Sequence, residues 1–183
     1  IPHVEAVVSE RGVPTYDAAG AAFSRHPVYR LMHDYGNVLA DRSYRSFAAL
    51  LRNADVLDYL LQSKSIPPGA VVTELDRLHT HHMPETVDDV LTWLARTHSS
   101  PEDAYPALIA AVAALRTALT APSDAAVEHP VRAFLQEVYS TRRLHPGAPD
   151  DDEFQSAADG IDEALHLVAT GCVPALGLSP GES

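Results

Sequence analysis

The chain has 183 residues, 46% hydrophobic and 21% charged, which suffices for one ordinary domain with a real core and argues against a disordered chain. Its formal net charge of −12, with Lys64 the sole lysine, repels phosphate backbones, so the chain as a whole is not expected to grip nucleic acid; Arg142-Arg143 is too small an exception to reverse that. One cysteine, Cys172, excludes an intrachain disulfide and a cysteine-based zinc site.

Val4, Val7 and Val8 give a first helix an apolar stripe that Gly12 can stop. Val13-Pro14-Thr15-Tyr16 reads as a short extended crossing, and Asp17 to Gly20 as a turn. Pro27 suits the first turn of a second helix, along which Val28, Leu31, Met32, Tyr35, Val38 and Leu39 recur at helical spacing. Ser43 is placed to cap the next segment, whose apolar face comprises Phe47, Leu50, Leu51, Leu57, Leu60 and Leu61. Asn53-Ala54-Asp55 can divide that segment into two short helices.

Ile66-Pro67-Pro68-Gly69 reads as a turn, followed by a helix on Val71, Val72, Leu75 and Leu78 that ends before Pro84. Thr86 can cap Val87–Arg96, with Asp88 and Asp89 where negative charge suits the helix dipole. Ser99 and Glu102 have capping-box spacing around Pro101 and open a long helix carrying Leu108, Ile109, Val112, Leu115 and Leu119. Pro122-Ser123-Asp124 separates it from a helix on Val131, Phe134, Leu135 and Val138. Leu144–Asp152 reads as a polar loop, and the last helix uses Phe154, Ala157, Ile161, Leu165 and Val168 up to Gly171. Gly177–Ser183 reads as a tail or the start of a linker. The pattern predicts an irregular all-α fold of about seven to nine helices, since alanine and leucine dominate and β-branched runs are few. No run of about 18 apolar residues is present to span a membrane, and no secretory signal is recognisable, so a cytoplasmic location is expected.

Four groups of residues deserve weighing as chemistry. His79, His81 and His82 are the densest histidine cluster, with Asp76 one turn before His79. A metal needs three or four ligands converging on one point, whereas histidines at an exposed helix end also interact favourably with its terminal carbonyls; the second reading is preferred. His33-Asp34 has the look of a phosphohydrolase ligand pair, with His3 and His26 upstream, but no further ligand pattern supports it, and a surface helix is expected. Asp150-Asp151-Asp152-Glu153 could meet a divalent cation but lacks the spaced oxygens and central glycine of an EF-hand, so helix-end capping is expected. Cys172 has no neighbouring base in an apolar tail and reads as inert. No serine has nucleophile-elbow glycines, and Trp93, spaced with Val90 and Leu94, reads as core. No catalytic, cofactor-binding or metal-ligating residue is assigned.

The order of features over residues 1–94 resembles a region of the AddB-type subunits of bacterial helicase–nucleases, within the group carrying a RecB-like PD-(D/E)XK nuclease domain. Arg11-Gly12-Val13-Pro14 matches a helix ending in G-[IV]-P. His26-Pro27-Val28-Tyr29-Arg30-Leu31 matches a P-[LV]-x-R-L helix. The run from Ser43 through Phe47, Leu50, Leu51, Arg52 and Asp55 to Val56 matches S-x-x-x-F-x-x-L-L-R-x-x-D-V. Leu75-Asp76 with His82-Met83-Pro84 resembles L-D-x-x-x-x-x-H-L-P. Residues 95–183 add only compatible helicity.

The resemblance implies a helical insertion in the second helicase-like half of a protein that processes double-strand breaks. Residues 1–183 would then form one helical domain, with 1–20 the edge of a helicase-like core and 172–183 a tail or linker. Catalytic residues do not transfer, because no G-x-x-x-x-G-K-[ST] phosphate loop or nuclease motif occurs and one cysteine cannot hold an iron–sulfur cluster. The expected partners are other domains of the same polypeptide or a partner subunit, with DNA met only through the parent protein and no membrane. Arg42, Arg45 and Arg52 are expected to pair with acidic neighbours at the surface. Two alternatives remain: a free-standing metal-dependent helical enzyme using His33-Asp34 or the His79–His82 cluster, and a helical ligand-binding or regulatory domain with a closed apolar pocket.

Overall fold

The structure is a computed structural model and describes residues 26–96, 104–120, 128–145 and 147–167. The expectations for the first helix, Val13–Tyr16, the Ser99–Glu102 box, Pro122–Asp124, His3, Cys172 and the tail fall outside those residues. Among the described residues the fold is all-α: nine helices and no strand. In chain order they are α1 (Pro27–Asp41), α2 (Tyr44–Leu51), α3 (Ala54–Lys64), α4 (Pro68–His82), α5 (Val87–Arg96), α6 (Pro106–Ala114), α7 (Arg116–Leu119), α8 (Glu128–Val138) and α9 (Pro149–Leu167). The described residues group into two compact units, one within residues 31–142 and the other comprising residues 26–30, 143–145 and 147–167.

The larger unit is built on α3 and α4. Helix α4 packs on α2, α3 and α6, and α3 also meets α2, α6 and α8. Apolar side chains at three- and four-residue spacing supply its core. Tyr35, Phe47, Leu50, Leu60, Leu75 and Leu108 are among the fully buried ones. Tyr35 lies in close contact with Phe134, ring centroids 4.2 Å apart and planes tilted by 32°. Its hydroxyl, which burial would otherwise strand, donates to the Ala118 carbonyl at 3.0 Å.

Caps set the helix boundaries. The Ser46 amide donates to the Ser43 hydroxyl at 3.1 Å at the start of α2. Asn53 does the same for α3 through the Asp55 amide at 3.1 Å, so the expected break between these two helices is present. Thr86 and Asp89 form a reciprocal box: the Asp89 amide donates to the Thr86 hydroxyl, and the Asp89 carboxylate accepts from the Thr86 amide. Ser43 and Thr86 also face each other as an isolated antiparallel bridge. The Tyr44 amide donates to the Glu85 carbonyl at 2.8 Å and the Val87 amide to the Arg42 carbonyl at 2.9 Å. Helices α2 and α5 therefore start from one tied point.

Three boundaries differ from the sequence expectation. The turn at Ile66–Gly69 is shorter, because Pro67 sits at the cap and Pro68 begins α4; proline lacks an N–H that the first helical turn does not use. The expected long helix through Leu119 is interrupted at Leu115 (φ −97°, ψ 12°), giving α6 and α7. Hydrogen bonds from the Leu115 amide to the Ala111 carbonyl and from the Leu119 amide to the Leu115 carbonyl continue across the break. The polar loop before the last helix ends at Ala148, since α9 starts at Pro149 and takes the acidic tract into its first turn.

In the smaller unit, the apolar stripe of α9 buries Phe154, Ala157 and Ile161. Gly147 precedes this helix with φ +86°, a left-handed turn that glycine adopts without Cβ strain.

Candidate functional site

The histidines of α4 diverge. His79 is exposed and stacks on Tyr44, with centroids 4.9 Å apart and planes 7° apart. His81 is exposed at the last turn. His82 turns the other way, with its Nε2 3.2 Å from the Tyr105 hydroxyl and its ring against Trp93. Asp76 is occupied by Arg52. Residues one turn apart on a helix share a face, but here His79 rests on Tyr44 whereas His82 meets Trp93 and Tyr105. Among the described residues, no group of three or more His, Cys, Asp or Glu side chains is placed to hold a metal ion.

His33 and Asp34 lie within ion-pair distance of each other, and each has a further partner. His33 Nδ1 lies 3.2 Å from Asn37 Nδ2 along the helix and 3.7 Å from the nearer Asp34 oxygen. The other Asp34 oxygen accepts from Asn53 Nδ2 at 2.9 Å. Asp34 thus braces α1 against the cap of α3, and both side chains are only half-buried. His26 accepts the Val28 amide on its Nδ1 at 3.3 Å, a local helix-start contact.

The acidic tract caps and braces the turn before α9. The His145 amide donates to an Asp151 oxygen at 2.9 Å, and the Gly147 amide to Asp152 at 3.3 Å. Anionic side chains at a helix N-terminus are also favoured by the helix dipole.

The arginines do different work from one another. Arg42 donates to the Leu119 carbonyl at 3.1 Å and to Asp88 at 2.8 Å, closing the end of α7 and meeting α5. Arg52 reaches the Ala48 carbonyl at 3.2 Å and Asp76 at 2.5 Å. Arg45 is exposed. Arg77 places its guanidinium 4.5 Å above the Tyr105 ring and donates to the Ala104 carbonyl. A cation over an aromatic face is attracted by the ring quadrupole, and this contact fixes the chain ahead of α6. Trp93 is half-buried rather than core, covered on one side by His82, while Val90 and Leu94 beside it are buried.

Sequence reasoning missed the two tyrosine–carboxylate pairs between α3 and the α8 end. The Tyr139 hydroxyl donates to Asp55 at 2.6 Å, and the Tyr59 hydroxyl donates to Glu137 at 2.8 Å. Burial pushes the Tyr59 phenol up to about 12, assisted by its bond to the Glu137 carboxylate. Burial and then the Asp55 bond raise the Tyr139 phenol further still. Tyr35 is pushed up to about 12 by burial. No local motif signals such pairs, because the partners lie 78 and 84 residues apart.

Compared with models of protein families, with curated proteins and with solved structures, the chain matches none. What the residues themselves offer is a set of side chains committed to joining helices. A general base or nucleophile needs a partner within hydrogen-bond reach and a space for a reacting atom. The histidines singled out here contact aromatic rings, Asn37 and a backbone amide, and the carboxylates beside them are held by Arg52 and Asn53. No helix among the described residues is long and apolar enough to cross a membrane.

Proposed function

We propose that this chain is a non-catalytic helical accessory domain of a DNA double-strand-break-processing helicase–nuclease of the AddB/RecB-like group. It packs on a helicase-like core in the cytoplasm and shapes a subunit interface or the DNA channel. It hydrolyses neither ATP nor DNA itself. The observation that carries this reading is the employment of the polar residues inside the matched motifs. Ser43 caps α2, Arg52 pairs with Asp76, and Asp55 accepts from Tyr139. Phe47, Leu50, Leu51 and Val56 of the same run are fully buried. Motif positions used for caps, ties and core are what a scaffold requires.

The net charge of −12 supports contact with protein in preference to a phosphate backbone. The coding sequence on either side of this stretch tests the reading. Helicase motifs ahead of Ile1 and a nuclease signature beyond Ser183 are the expected finding. An intact gene encoding this stretch alone would overturn it.

A further inference from the structure

No further inference is drawn: the strongest candidate, the exposed Met83 held in left-handed backbone at the end of α4, is an apolar surface point for which nothing in the structure shows what covers it.

Discussion

The Tyr139 hydroxyl sits 2.6 Å from an Asp55 carboxylate oxygen, fastening the end of α8 to the first turn of α3. Tyr59 and Glu137 repeat the bond in the opposite sense, with the phenol now on α3 and the carboxylate on α8. Hydrogen bonds to charged groups contribute more than neutral ones, about 1.5–3 kcal/mol each. Tyr139→Phe should therefore lower the unfolding free energy by about 1–2 kcal/mol, discounted because Asp55 is half-exposed and regains water. Urea unfolding of Tyr139→Phe, Asp55→Ala and the double variant should show coupling between the two sites. Additive losses would mean that the bond contributes nothing of its own.

The same phenols should appear in an alkaline titration. Tyr35 and Tyr59 ionise near 12 in the folded chain, and Tyr139 and Tyr44 are raised as well. Unfolded tyrosines ionise near 10. Because the folded values are the higher ones, the stabilising contribution is complete below about pH 10 and is lost as pH rises through the folded values. Phenolate absorbance should thus rise in two stages, the second coinciding with loss of helical circular dichroism. A single transition near pH 10 with the helices intact would contradict these environments.

Thr86 and Asp89 give an acid-side counterpart. Bonds from the Thr86 side chain and amide hold the Asp89 carboxyl below the usual carboxylate range. A depressed folded value contributes stability above the unfolded value, and that contribution is lost as pH falls through the folded one. Thr86→Ala should cost about 1 kcal/mol at neutral pH through the lost cap. It should also flatten the fall in stability as the pH drops from about 5 through the folded value. Urea midpoints across that range check both effects.

Backbone strain makes a prediction of the other sign. Ser65 and Met83 terminate α3 and α4 in left-handed conformation, at φ 56° and 45°, where a Cβ crowds the carbonyl and glycine does not. Ser65→Gly and Met83→Gly should each stabilise the fold by about 0.5–1 kcal/mol, read as a rise in Tm. Arg42 has a similar φ of 48°, but Arg42→Gly should destabilise. Its guanidinium joins Asp88 to the Leu119 carbonyl, and both contacts would be lost.

Local chemistry was legible in the sequence wherever cause and effect lie within one helical turn. Ser43 and Thr86 could be read as caps and Asn53-Ala54-Asp55 as a break, and the apolar spacing on α1 and α8 identified Val28, Leu31, Val131 and Phe134 as buried. Pro68 misled because a Pro-Pro-Gly string resembles a turn, although proline at a first helical position is equally at home. The break at Leu115 follows no punctuating residue, since an apolar run from Ala107 leads into it and neither glycine nor proline comes after it before Pro122. The tyrosine–carboxylate pairs and the Arg42 tie join residues distant along the chain, and neither periodicity nor capping rules reach that far. The histidine cluster was visible as composition, but only the fold shows His79 turned to Tyr44 and His82 to Tyr105.

Turnover by the purified chain tests most directly whether its polar groups serve only to hold helices together. The chain would be incubated with magnesium, ATP and linear double-stranded DNA, and release of phosphate and of DNA fragments followed. The expected result is no release of either above buffer while circular dichroism shows the helices folded. Hydrolysis that is abolished by His33→Ala, Asp34→Ala or His82→Ala would contradict it.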